Sequence, residues 1–232
     1  MKKIIIAAIG IIASSAAFQI LAQQNSFSNN DLVGEWRSQK CETFVQDKQT
    51  VFLKRQFVFT STTWNLKYTI FADPECNVAL FSNRIKGEYT LGEAVSLTNT
   101  RKITWGQTQK FIAAHVPDIL KVLNDTKCGD SSLGLDQERD ISVTGCMAFG
   151  VINVKDYAQE YDLLKLEKGQ LFTGARNDAM NLEVNRPTKI FEFTLVKPYT
   201  LKIPQLVAMN SRRNLSGIHG KLVVCTAQPC AC

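Results

Sequence analysis

Apolar and polar positions alternate with period two through much of the chain between Leu32 and Trp105. Along Trp64-Asn65-Leu66-Lys67-Tyr68-Thr69-Ile70 the alternation places Trp64, Leu66, Tyr68 and Ile70 on one face of a strand. Val51–Phe59 behaves similarly, with Val51, Leu53, Phe57 and Phe59 on one side and Arg55 as the exception. The polar run Thr60–Thr63 separates these two strands as a turn, and Glu88–Leu91 and Lys102–Trp105 read as further short strands. Closely spaced strands with short connections predict an antiparallel meander.

The period changes at Gln107. Phe111, Ile112, His115, Val116, Ile119, Leu120 and Leu123 recur at helical spacing and predict one apolar stripe on a helix. Pro117 either kinks that helix or opens a second turn at its first helical position. Asn124–Thr126 ends the helix, and a polar loop runs to Asp140. Strands return at Tyr157–Leu166, Gln170–Thr173 and Lys189–Lys197, with Glu167-Lys168-Gly169-Gln170 as a hairpin turn in which Gly169 is free to take positive φ. The predicted fold is mainly β: a curved antiparallel meander, half-barrel or barrel-like, with one mid-chain α-helix packed on it. Beyond Pro198, Tyr199–Ile203 and Lys221–Val224 are strand-like, and Ser211–Gly220 between them reads as mobile.

Met1-Lys2-Lys3 followed by the apolar run Ile4–Phe18 and a small residue at Ala22 has the form of a secretory signal peptide. A membrane anchor is the competing reading, but Gln23-Gln24-Asn25-Ser26 breaks the apolar run and favours cleavage after Ala22. The predicted organisation is a signal peptide over 1–22, a linker over 23–31, a β-rich domain over 32–197 and a Cys-containing tail over 198–232. Localisation is then secreted or periplasmic. All seven cysteines lie beyond the leader, in a compartment where disulfides persist. The formal net charge of +6 becomes +4 without Lys2 and Lys3, and the charges are interspersed, which argues against a nucleic-acid partner. No second long apolar run predicts a membrane span after cleavage.

Candidate chemistry is sparse. The chain has two histidines. His115 falls on the helical stripe, where packing or capping outweighs catalysis, and His219 lies in the tail. No G-x-S-x-G, H-E-x-x-H, P-loop or G-x-G-x-x-G occurs, so no catalytic residue and no enzyme class is assigned. Asp130, Asp136 and Asp140 fit no calcium-loop spacing and read as solvated carboxylates. Cys225, Cys230 and Cys232 resemble a soft metal set, but disulfide formation or a disordered tail is the better reading in a secreted chain, so neither metal nor cofactor is expected. The odd count leaves at least one of them free or intermolecular. Asn124-Asp125-Thr126 and Asn214-Leu215-Ser216 match the glycosylation acceptor pattern.

The remaining property is the aromatic-rich alternation. Each such residue has a plain reading as core and a second as lining of an apolar pocket held by a curved sheet. The predicted pocket sets Trp64, Leu66, Tyr68 and Ile70 against Phe111, Ile112, Val116, Ile119 and Leu120, with Trp36, Tyr89 and Trp105 as added aromatic candidates.

The order of motifs resembles a known family. Gly34-Glu35-Trp36-Arg37-Ser38-Gln39-Lys40-Cys41-Glu42 forms a G-x-W-x-S-x-x-C-E block. Leu53–Phe59, Asp73-Pro74-Glu75-Cys76 and Lys86-Gly87-Glu88-Tyr89 follow; after the helix come Thr126-Lys127-Cys128-Gly129, Gly145-Cys146 and Glu160–Glu167. Together, over about Leu32 to Lys197, these resemble the domain of the adenomatosis polyposis coli down-regulated 1 family. Its best-known animal members are membrane-anchored inhibitors of Wnt signalling, with two such domains and a C-terminal span. What carries over to a single domain is the physical property: a curved sheet with a helix, whose apolar pocket suits an acyl chain or an acylated partner. The four cysteines admit three pairings; the resemblance and the short separations favour Cys41 with Cys76 and Cys128 with Cys146. Lipocalins share the G-x-W strand and are the alternative carrier. A protein–protein interaction module, binding through a sheet edge or the tail, is the alternative from another class.

Overall fold

The computed structural model describes residues 27–46, 49–176 and 180–198. The expected leader over 1–22, and the tail beyond Pro198 with Cys225, Cys230, Cys232 and His219, lie outside the described residues. A helical turn, α1 (Asn29–Leu32), precedes the first strands, β1 (Gly34–Ser38), β2 (Glu42–Gln46), β3 (Gln49–Phe59) and β4 (Thr63–Phe71). The sixteen-residue β5 (Ala79–Ala94) follows, then β6 (Thr100–Gly106) and β7 (Gln109–Ala114). After α2 (Pro117–Asp125) come β8 (Arg139–Asp140), β9 (Gln159–Glu167), β10 (Gln170–Thr173) and β11 (Leu195–Val196).

Every strand pairing is antiparallel. β3, β1, β11, β10, β9, β6, β5 and β4 close in that order into an eight-stranded barrel, with β2 added beside β3, β7 beside β5 and β8 beside β7. Closure removes the sheet edges along these eight strands and turns alternate side chains into a common interior. The hairpin between β9 and β10 turns at Lys168 and Gly169, both at positive φ.

Register arranges the interior in rows. Phe59, Trp64 and Gly87 lie opposite one another on β3, β4 and β5, then Phe57, Leu66 and Ile85, then Arg55, Tyr68 and Asn83, then Leu53, Ile70 and Phe81. The first two rows form one end of a dry core with Trp36, Tyr89, Ile103, Trp105, Leu164, Leu171 and Leu195, closed below by Phe27 and Leu32. Leu32 is fixed there because its carbonyl accepts the Trp36 indole N–H at 2.7 Å. The Trp64 indole spans the strand junction, donating to the carbonyls of Gly106 at 2.8 Å and Glu88 at 3.1 Å. Gly87 sits against the Gly106 backbone so closely that a Cβ would overlap it. That contact is where β6 ends and β7 takes over the same edge of β5.

Two expectations are overturned. Phe111 and Ile112 lie on β7, and the helix begins only at Pro117. Pro117 disfavours helical backbone at Val116, which is extended (φ −134°, ψ 151°), so the residues before it cannot join the helix. They are also the residues that pair with the N-terminal half of β5, an edge that would otherwise hold unsatisfied backbone groups. The second overturned element is the strand expected over Lys189–Lys197. Only Leu195–Val196 is strand; Ile190 makes a single bridge to Gly174. Its potential partner, β10, is four residues long, which limits the ladder.

α2 packs into a second core. Ile112, Ala114, Leu123, Ile141 and Val151 gather around the Cys128–Cys146 disulfide, with Ile119, Leu120, Phe81 and Phe149 at the margin. The helix therefore packs with Phe81 at the start of β5, and not with Trp64 and Leu66, which belong to the first core. Cys41 and Cys76 are joined, as the resemblance implied.

The disulfides close segments of 35 and 18 residues by sequence separation. In the chain-entropy account each raises stability by roughly 3–4 kcal/mol. Paired Cys→Ser replacement of either bridge is expected to lower the urea unfolding free energy by that order. A loss below about 1 kcal/mol at both would contradict this estimate.

Candidate ligand site inside the barrel

The two halves of the barrel differ in chemistry. At the filled end, Trp105 is the hub: its ring centroid lies 4.8 Å from Trp64, 5.7 Å from Phe57, 5.9 Å from Phe59 and 6.4 Å from Tyr89. Above this plug the inward row turns polar. Arg55 replaces an apolar residue at the middle of β3 and is held by Glu42 at 2.9 Å, while its Nη1 donates to Thr173 at 2.9 Å. Tyr68 stands beside it, and the Tyr68 hydroxyl accepts from Asn83 Nδ2 at 2.9 Å.

The far wall supplies the opposite charges. Glu160 and Asp162 lie opposite Trp105 and Ile103 in the β6–β9 register and so face the interior. Glu160 accepts from Arg176 Nη1 at 2.6 Å and from Gln107 at 3.3 Å. Asp162 accepts from the backbone N–H groups of Leu163 at 2.7 Å and Gly174 at 3.0 Å, and from the Trp105 indole at 3.3 Å. Burial, reinforced by the Glu160 charge, pushes the Asp162 carboxyl up to about 6. Burial likewise pushes the Tyr157 phenol up to about 12 and the Lys110 ammonium down to about 8. Lys110 Nζ donates to the Ile152 carbonyl at 2.8 Å. Burial also raises the Tyr68 phenol, with Arg176 lowering it and Glu160 raising it.

Arg176 is the outlier of this belt. Its partner Glu160 is almost wholly enclosed, yet 65% of the Arg176 side chain is reached by solvent. The belt is therefore wet on one side and dry on the other. The next inward row is Leu53, Ile70 and Phe81, with Leu53 buried, Ile70 half-buried and Phe81 packed 4.7 Å from the Phe149 ring of the second core.

The sequence-predicted residues divide between these environments. Trp36, Trp64, Tyr89 and Trp105 are buried in the plug, with Leu66 packed against it. Tyr68 belongs to the polar belt and Ile70 to the row above it. Phe111 is on the outer face, where the Arg84 guanidinium stacks 3.9 Å from its centroid. Ile112 and Ile119 belong to the second core, and Val116 is the residue preceding α2. Asn83, Glu160, Asp162 and Arg176 were missed. Glu160, Asp162, Leu164 and Leu166 share one face of β9, so two carboxylates in line with two leucines were the available signal.

His115 is at the end of β7, not on a helical stripe, and joins a polar row on the outside of the sheet. Its Nδ1 meets Asp136 at 2.6 Å and its Nε2 meets Ser82 Oγ at 3.1 Å. Ser82 is buried on the central strand β5, and the Asp136 backbone N–H donates to Ala114 at 2.8 Å. The row fastens the polar loop to the sheet. Asp130 and Asp140 serve the same loop locally, accepting from the backbone of Ser132 and Ser142, both at 2.8 Å.

Among the described residues, a groove of about 580 Å³ runs between Lys40–Thr43 and Glu192–Thr194, and another of about 310 Å³ lies between Val95–Leu97 and Glu183–Thr188. Neither is lined by Tyr68, Asn83, Glu160 or Arg176. No group of three metal-ligating side chains occurs among the described residues. None of the described helices is long and apolar enough to cross a membrane. No protein-family model matches the chain, and no curated protein sequence does.

The Asp162 carboxyl binds its proton more tightly folded than unfolded, because its folded value of about 6 exceeds the ordinary 3.8. Its contribution to stability is therefore present below the ordinary value and is lost as pH rises through about 6. Relative to Asp162→Asn, the wild type is expected to lose up to about 3 kcal/mol between pH 4 and pH 7. A difference independent of pH in urea unfolding would refute the assignment.

Proposed function

We propose that the chain is a secreted or periplasmic binding protein that holds an acyl-type hydrophobic ligand in the open half of its barrel. The barrel and its disulfides are compatible with this coarser class of extracellular binding protein. The carrying observation is the contrast along the lumen. One end is filled by stacked aromatics, while beyond it solvent reaches most of the Arg176 side chain. Ligand sites combine apolar lining with a few placed polar groups. Leu53 and Ile70 supply the first and the polar belt beside them the second. The resemblance to the adenomatosis polyposis coli down-regulated 1 family points the same way, and so does the lipocalin alternative.

A second reading draws on β2. Among the described residues it pairs only with β3, and its Val45 is 71% exposed. An open edge of this kind suits pairing with an extended segment of another protein.

Purified protein is expected to bind a fluorescent fatty acid with micromolar or better affinity, about −8 kcal/mol or more favourable. Ile70→Glu places a charge in the apolar row and is expected to abolish binding. Val58→Glu, on the outer face of β3, is expected to leave it unchanged. Equal binding by both variants, with melting curves like the wild type, would sink the lumen as the site. No binding of any acyl probe to folded wild type would leave the edge-pairing reading.

A further inference from the structure

We propose that the polar belt is a head-group site for an oxyanion, carboxylate or phosphate, so that an amphiphile enters head first with its chain passing Ile70 toward the mouth. This rests on the acyl-binding reading above and adds the ligand's polar chemistry and orientation.

Groups on separate strands converge on this assignment. The Arg176 guanidinium is held by Glu160 through Nη1 at 2.6 Å with the Tyr157 phenol as a second neighbour, and 65% of the side chain is accessible. A guanidinium carries five donors in a fixed fork that matches carboxylate and phosphate geometry. The Tyr68 oxygen already accepts from Asn83, which leaves the phenol proton for donation. Asn83 is 1% exposed and its Oδ1 has no hydrogen-bond partner among the described residues. Gln107 Oε1, on the residue that donates to Glu160, is a second buried acceptor of this kind. Orphaned buried acceptors are destabilising, so both are better served by an incoming donor. An oxyanion answers Arg176 and Tyr68, and a hydroxyl beside it answers Asn83.

The rows also fix direction. Below the belt, Phe57, Leu66 and Ile85 belong to the packed core, so a chain cannot continue inward. On its other side the next inward residues are Leu53 and the half-buried Ile70, while Phe81 opposite Ile70 packs on Phe149 of the second core.

The test is calorimetric titration of dodecanoate, dodecyl phosphate and neutral methyl dodecanoate into the wild type, Arg176→Met and Tyr68→Phe. The wild type is expected to prefer at least one oxyanion over the ester by about tenfold or more. Whichever oxyanion binds tighter identifies its source as a free acid or a phosphorylated lipid. Arg176→Met is expected to erase the preference while keeping ester affinity, and Tyr68→Phe to reduce it, with a lower but still cooperative melting transition because Asn83 Nδ2 loses its acceptor. Because methionine leaves Glu160 without its partner, Arg176→Met combined with Glu160→Gln repeats the measurement in a neutral background. Equal affinity for acid, phosphate and ester, unchanged in folded variants, overturns the head-group site and leaves the acyl reading standing. Failure of all three ligands to bind overturns both.

Discussion

The packing of Trp105 against Trp64, Phe57 and Phe59 is the constraint on which the rest of the barrel depends. These rings come from β6, β4 and β3, so their contact ties strands from separate parts of the wall. Offset and tilted aromatic contacts add to the area they remove from water. Filling one end also determines the electrostatics of the other. Groups seated directly on the plug lose water on that side, so they need partners within the wall. Glu42 meets Arg55, Glu160 meets Arg176, and Asp162 takes two backbone N–H groups. Asp162 has no cation on it directly, and its raised carboxyl value follows from that placement.

Pairing charges inside a barrel is an expensive way to fill space. Desolvation of an ion pair commonly cancels most of its attraction, and well-packed apolar residues serve stability as well or better. The Arg55–Glu42 and Arg176–Glu160 pairs differ in this respect. The first is enclosed on both sides and links β2 and β3 to Thr173 of β10. The second leaves its cation open to solvent, which a purely structural pair would not require.

Much of the barrel was legible in the sequence because period-two alternation survives wherever one face is buried. β3, β4 and β10 lie close to where alternation put them, and Arg55 was visible as the break in its pattern. The segment from Gln107 was misread for a physical reason. Phe111, Ile112, His115 and Val116 have helical spacing with Ile119 and Leu120, but Pro117 cuts that series and the open edge of β5 claims its first half. Local periodicity does not register an unpaired edge whose residues lie 23 to 33 positions earlier, from Lys86↔Gln109 to Phe81↔Ala114. The candidate site was hardly legible, since its belt combines single residues from β3, β4, β5, β9 and the segment after β10. No one stretch carries the pattern; only the register assembles it.

β5 runs through both cores. Its C-terminal half, with Ile85, Tyr89 and Leu91, lines the barrel, while Phe81 at its start packs at the disulfide-linked core. The two cores have separate side chains but share a backbone, so neither owns a complete set of hydrogen-bonded strands without it. In evolutionary terms the part from Gln109 to Val151 is not a portable insert. Excising it would bare half of the longest strand in the molecule, and grafting it elsewhere would demand a host with an equally long strand left half unpaired.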